Sequence, residues 1–263
     1  MSALILIRGG GDLASGVALR LYRAGLKVLI SELPQPLAVR RTVSFGEAVY
    51  AGQVAVEGVT ARLVKRGQVT AALDAGEIPV LVDPQASILT TLDFSVVIDG
   101  RLTKHPPEPL PAPVALHIGL GPGFHAGQNC QAVIETRRSH TLGRVYWEGT
   151  AQSDSGQPEG DPRRVLRAPA EGVLTSQVQI GEHVEAGQVV AEVAGTPIVA
   201  AFPGVLRGLI HPGLHVTQGL KVGDVDLRDD PSMCYLASDK ALAVGGGVLE
   251  ALLARPEIRS SLW

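Results

Sequence analysis

Arg8-Gly9-Gly10-Gly11-Asp12-Leu13-Ala14-Ser15-Gly16 decides how the first half of this chain is read. Ala3–Ile7 before it is a short apolar run suited to a buried strand. After it, Leu13, Val17, Leu21 and Ala24 recur at helical spacing until Gly25. Lys27–Ser31 is the next apolar run, and Glu32 closes it. Gly9-x-Gly11-x-x-Ala14 fits a dinucleotide fingerprint: the first glycine makes a tight turn, the second admits a pyrophosphate, and the small third residue lets helix pack on strand. Backbone groups of Gly9, Gly10, Gly11, Asp12, Leu13 and Ala14 would then surround a phosphate at a helix start. Glu32, about 20 residues further on, would accept hydrogen bonds from a ribose diol. The competing reading is a turn that serves packing alone, with Asp12 as a first-turn acid worth roughly 0.3–1 kcal/mol to the helix. No Gly-Lys-Ser/Thr follows, which argues against a Walker-type ATPase.

Beyond Glu32, short helical and strand-like runs alternate as far as Phe94–Ile98. This pattern predicts a Rossmann-like α/β domain with a mostly parallel sheet over residues 1–150. Lys104–Pro113 is a proline-rich connection, and Val114–Ile118 leads into a second glycine loop, Gly119-x-Gly121-Pro-Gly123. That loop would either turn amides towards an anion or simply make a tight turn. Arg40 and Arg41 would either reach phosphates through their guanidinium forks or lie on a solvated surface. His140 and Arg144 would either bind an acidic ligand or lie in a surface turn. His211 and His215 carry the spacing of a helical metal pair, but Pro212 and Gly213 between them oppose a helix, so no metal site is expected.

The polar stretch 151–164 reads as a linker. After it, Gly172-Val173-Leu174 recurs as Gly204-Val205-Leu206, an offset of 32 residues. The same frame maps Gly181 onto Gly213, His183-Val184 onto His215-Val216, and Gly187 onto Gly219. Such an ungapped repeat predicts two copies of one β unit folded together over 165–228. Within 229–263, Asp239–Leu253 reads as a helix whose Gly245-Gly246-Gly247 interior costs roughly 1 kcal/mol per glycine. Close packing would offset that cost; otherwise the run is a break.

With 263 residues, 45% hydrophobic and 19% charged, the chain can bury one large core or two ordinary ones, filled by aliphatic side chains because only 4% are aromatic. A net charge of −3 gives no electrostatic footprint for nucleic acid. No apolar run approaches the ~20 residues of a membrane span. Arg8 interrupts the opening run before it resembles a signal peptide, so a cytoplasmic protein with no membrane partner is expected. Cys130 and Cys234 lack CxxC context, which argues against zinc and disulfide redox chemistry.

Pro169–Leu174 and Gly181–Val193 resemble the biotinyl/lipoyl-type barrel-sandwich hybrid, yet the hairpin Ala194-Gly195-Thr196-Pro197 lacks the modifiable lysine of those carriers. The resemblance therefore implies a module that packs, docks or binds. Three further stretches, Arg8–Gly16, Glu32–Phe45 and Gly119–Phe124, together with Ala132–Arg144 and Ser238-Asp239-Lys240, resemble bacterial accessory proteins of the selenium-dependent molybdenum hydroxylase system. That resemblance implies a maturation factor that binds a nucleotide-type cofactor, NAD or molybdopterin dinucleotide, and docks a client molybdenum hydroxylase. Cys130 would have to serve any covalent sulfur or selenium step. An NAD-dependent oxidoreductase and a ligand-free assembly protein are the alternatives, and a homo-oligomer is left open.

Overall fold

The computed structural model describes residues 4–153 and 160–262. Two compact units divide the chain. One takes in Met1–Pro36, Ser44–Ser155 and Ala237–Trp263, the other Leu37–Val43 and Gly156–Leu236. In the first unit the strands are Leu4–Arg8 (β1), Lys27–Glu32 (β2), Gln53–Val56 (β3), Val59–Leu63 (β4), Ile78–Val82 (β5), Val96–Asp99 (β6), Leu116–Leu120 (β7), Ala132–Ile134 (β8) and Val145–Tyr146 (β9). They form one mixed sheet in the order β3-β4-β5-β2-β1-β6-β7-β8-β9. The seven inner strands are parallel, and β3 and β9 run antiparallel to their neighbours. Parallel strands covered on both faces need continuous apolar sequence. Ile5, Leu6 and Ile7 in β1 and Val96, Val97 and Ile98 in β6 supply it and are fully buried.

The helices are Asp12–Arg23 (α1), Ala48–Ala51 (α2), Val69–Asp74 (α3), Asp239–Leu253 (α4) and Pro256–Arg259 (α5). Their distribution corrects the Rossmann-like expectation. A doubly wound domain places helices in its crossovers. Here β5 leads to β6 through one 3-10 turn, Ser87–Thr90. The connections from β6 to β7 and from β7 to β8 hold no α-helix. Five prolines between Pro106 and Pro113 make a helix impossible in the first of these, because each removes a donor and clashes with the preceding turn.

α4 packs on α1 instead. Ser238 caps α4 by accepting from the Ala241 amide at 3.1 Å. A side chain on Gly16 would meet Ala241 Cβ at 2.6 Å, and one on Gly245 would meet the Gly16 carbonyl at 2.9 Å. Gly247 lies hard against the Gly143 carbonyl. The triple glycine is thus a docking strip within an unbroken helix. No helix among the described residues is long and apolar enough to cross a membrane.

In the second unit the strands are Val165–Arg167 (β10), Gly172–Thr175 (β11), His183–Val184 (β12), Val189–Val193 (β13), Thr196–Val199 (β14), Gly204–Leu209 (β15), His215–Val216 (β16) and Lys221–Asp226 (β17). They make two four-stranded antiparallel sheets, β10-β17-β15-β12 and β14-β13-β11-β16. Each sheet takes strands from both copies of the 32-residue repeat, so neither copy completes a sheet alone. The expected biotinyl/lipoyl-like barrel is corrected accordingly: β10, β12, β14 and β16 are edges paired on one side only, and the sheets do not close. Part of the expected linker, 154–159, lies outside the described residues.

The glycine strip separates two neighbouring substitutions. Gly247→Ala puts a methyl group into the Gly143 backbone and should cost about 1–3 kcal/mol. Gly246 faces open space, so Gly246→Ala should stabilise by up to about 1 kcal/mol through helix propensity. Thermal unfolding should move the two variants in opposite directions.

Candidate functional site

The opening turn leaves β1 with Gly9 at φ +88°, a left-handed conformation that glycine adopts without strain. Its amide donates to the Ser31 carbonyl at 2.7 Å. The Gly10 amide donates to Glu32 Oε2 at 2.5 Å, and the Gly10 carbonyl accepts from the Gly46 amide at 2.8 Å and from Ser15 Oγ at 3.1 Å. A Cβ on Gly10 would meet the Gly46 nitrogen at 2.6 Å. The other carboxylate oxygen of Glu32 accepts from the Leu33 amide at 2.7 Å. Burial raises the Glu32 pKa, while these two amides oppose the rise. Glu32 is therefore committed to closing the turn. Only at Gly11, the residue before α1, is the space around a would-be side chain open. Asp12 and Leu13 lie in the first turn of α1, and Ala14 is buried where a side chain on Gly100 would meet its Cβ at 2.8 Å.

The other candidate residues hold backbone in place. Arg40 donates to the carbonyls of Met233 and Leu236 at 2.9 and 3.0 Å, and Arg41 to that of Leu209 at 3.1 Å, all within the second unit. Gly119 makes room for the Phe124 side chain, and a Cβ on Gly123 would meet the His105 carbonyl at 2.7 Å. Gly121, at φ +87°, donates to the Ile134 carbonyl at 3.2 Å. No group of three or more metal-ligating side chains occurs among the described residues.

A different place, not apparent in the sequence reading, has the shape of a binding site. A cavity of about 800 Å³ in the first unit is lined by His117, Cys130, Trp147, Arg255 and part of the 104–113 connection. His117 is the second residue of β7. Its amide donates to Gln131 Oε1 at 2.7 Å, and its carbonyl accepts from the Gln131 amide at 2.9 Å. Its ring meets Phe124 edge-on, with centroids 5.9 Å apart. The residue is only 7% exposed, and Nε2 has no hydrogen-bond partner among the described residues. Burial lowers the His117 pKa. Asp99 and a hydrogen bond between the ring and the Asn129 backbone oppose this, and the charges of Arg8 and Arg101 reinforce it. The imidazole is thus neutral near pH 7.

Those charges form a network at the ends of β1 and β6. Arg8 donates to Asp99 at 3.2 Å and to Glu108 at 2.7 Å, and Arg101 donates to both carboxylates. Burial alone would raise the Glu108 pKa, but the donors around it, Arg8 foremost, bring it to about 2. At the other side of the cavity the Arg255 guanidinium lies over Trp147, 4.2 Å from the ring centroid. No carboxylate pairs with Arg255 among the described residues. Burial pushes the Cys130 thiol up to about 11 against opposing backbone hydrogen bonds. A thiol raised this far is protonated near pH 7 and a poor nucleophile. A histidine inside an otherwise apolar buried strand was the one sequence signal for this site. Trp147 and Arg255 carried none.

No family model matches the chain. It is 46% identical over 255 residues to the uncharacterized protein YqeB of Escherichia coli (strain K12), covering 95% of this chain and 47% of that protein. The chain spans about half the length of this curated relative. Among solved structures it is similar to an aspartoacylase family protein from Mesorhizobium loti, at 10% identity over 85% of this chain and 84% of the other, with a TM-score of 0.28. A succinylglutamate desuccinylase/aspartoacylase from Rhodobacter sphaeroides gives 15% identity, 85% of each chain and a TM-score of 0.26. The ectoine utilization protein EutE (DoeB) from Ruegeria pomeroyi gives 15%, 85% and 52%, and 0.22. With no family model matching and an uncharacterized relative, nothing in the comparisons supports the expected membership in a molybdenum hydroxylase accessory family, and it is withdrawn with the maturation role, its oxidoreductase and assembly alternatives, and the molybdenum and selenium chemistry. TM-scores this low leave the neighbours' activities with the neighbours.

The neutral state of His117 has a measurable sign. Its folded pKa lies below the ordinary 6.5, so between the two values the unfolded chain binds the proton more readily. Stability contributed by the neutral ring is complete above that value and is lost as pH falls through the window. Urea unfolding from about pH 5 to 7.5 should show stability rising with pH, and His117→Phe should flatten the rise. The difference between the two proteins separates His117 from exposed His183, whose pKa Asp229 shifts upward. Equal slopes would mean that the imidazole is not held neutral.

Proposed function

We propose that the first unit binds a small organic acid in the His117 cavity, with Arg255 receiving its carboxylate and His117 a second polar group. The observation that carries this reading is the buried, neutral imidazole whose Nε2 lacks a partner. Buried polar atoms are nearly always hydrogen-bonded, so an Nε2 without a partner, on a residue that lines a concave cavity, favours a ligand there, one that must shift the atoms covering the ring to reach it. Arg255 adds the charge. Stacking on Trp147 holds its guanidinium plane in place, so less side-chain entropy is lost when a carboxylate arrives. Its fork suits two parallel hydrogen bonds to that carboxylate.

The chemistry available at such a site is proton transfer. A neutral imidazole takes a proton from a bound O–H or acidic C–H near pH 7, which a protonated thiol such as Cys130 cannot do. Binding is the primary claim, and a reaction would follow from the ligand's identity.

Thermal unfolding of the full chain against a panel of short mono- and dicarboxylic acids, with the matching amides as controls, tests the reading. An acid at 100 times its dissociation constant should stabilise by about 2.7 kcal/mol, a melting shift of roughly 5–10 °C. The amides should give none. Arg255→Ala should abolish the shift, and His117→Phe should weaken binding about ten- to a hundredfold, as expected for loss of a buried polar contact. A wild-type melt that no acid moves defeats the reading.

A further inference from the structure

The connection between β6 and β7 is a stiff strap. Pro106, Pro107, Pro109, Pro111 and Pro113 each fix φ and lack an amide donor, so the segment favours an extended form without hydrogen bonds of its own. It walls the His117 cavity with residues from Pro107 to Pro113. Its charged tether is Glu108, whose Oε1 accepts from Arg8 Nη2 and from Arg101 Nη1, each at 2.7 Å.

The two sides of this tether are built differently. The Arg8 side chain is 2% exposed, whereas that of Glu108 is 59% exposed. Arg8 is fixed by the fold: Nη1 donates to Asp99 and Nη2 to the Pro84 carbonyl, both at 3.2 Å, and Nε has no partner among the described residues. Arg101 grips Asp99 through Nε at 2.9 Å and Nη2 at 2.7 Å. Two guanidiniums thus share one buried carboxylate, which leaves one positive charge for Glu108 to neutralise. A permanent partner for a buried arginine would itself be buried, as Asp99 is. Here the balancing oxyanion is borrowed from a solvent-exposed strap.

We propose that Arg8 and Arg101 form a binding site for a ligand's oxyanion, a carboxylate or phosphate, which Glu108 fills from within, and that a ligand taking this place frees the strap from the cavity wall. The second half rests on the cavity being the ligand site. The exchange swaps one oxyanion for another on the same two donors, and no covalent bond changes.

Isothermal titration of the full chain with inorganic phosphate and, separately, with acetate distinguishes the two sources of oxyanion. Glu108→Ala removes the internal competitor and should raise affinity for at least one probe tenfold or more. Arg101→Met in the Glu108→Ala background should remove that gain, while Arg163→Met, which removes an exposed charge of the second unit, should leave it intact. Arg101 is the arginine to change because it is partly exposed, and an unchanged circular dichroism spectrum certifies the fold, with Arg101→Lys as the substitute if Met does not fold. Trp147 lines the cavity beside the strap, and its fluorescence, read in a Trp263→Phe background, should change as the probe saturates. Equal affinities with and without Glu108, a gain that survives the loss of Arg101 or vanishes with Arg163, or fluorescence that the bound probe leaves unaltered would each overturn the proposal. Because the readout is the gain on removing Glu108 and its loss with Arg101, a failed acid panel leaves it interpretable.

Discussion

The buried pairing of Arg8 with Asp99 is the constraint around which the first unit's site is arranged. These residues end adjacent parallel strands and face each other in register. Neither charge is tolerable in that interior alone, since breaking a buried pair typically costs about 3–5 kcal/mol. Their mutual need fixes how the ends of β1 and β6 meet. It also draws in Arg101, which shares Asp99, and Glu108, which balances the surplus. Through Glu108 the proline strap lies along the cavity, while the His117 ring is kept neutral chiefly by its burial. A hydrophobic replacement of similar volume would pack as well but would not hold the strap.

Glycine in this protein mostly serves close approach. Gly10 admits the Gly46 backbone, Gly16 and Gly245 let two helices touch, and Gly119 and Gly123 make room for Phe124 and the His105 carbonyl. Each contact places main chain where any side chain would collide, and each removes amides or space that a ligand would use. The turn after β1 illustrates the consequence. A diphosphate needs bare amides, and here the central one already has a carboxylate on it.

Much of the secondary structure was legible because local rules suffice for it. Ser238 followed by an apolar period marks α4, which runs over Asp239–Leu253 as read. The apolar runs of β1, β2 and β5 announce strands buried on both faces. The internal repeat was visible because its two copies share one frame. The doubly wound architecture was misread because it was inferred from alternation in the first 98 residues and extended past Lys104, where prolines forbid the helices it requires. The barrel was misread because strand order and closure depend on which edges meet, and a repeat pattern is silent on that. The site was mostly hidden for a related reason: Arg8, Asp99, His117, Trp147 and Arg255 are spread along most of the chain, with no spacing that links them.

The amino-acid order by itself determined where strands, helices and breaks form, because those follow from side-chain period, caps and proline within a few residues. It also determined that Gly9 could turn and that the strap would be stiff. Only the tertiary structure decided that Glu32 closes the opening turn, that Gly245–Gly247 is a docking strip, and that a neutral histidine and a stacked arginine face one cavity. Those outcomes depend on distances between residues far apart in the chain and on which charges share a low-dielectric interior, and such energies exist only once the backbone has brought them together.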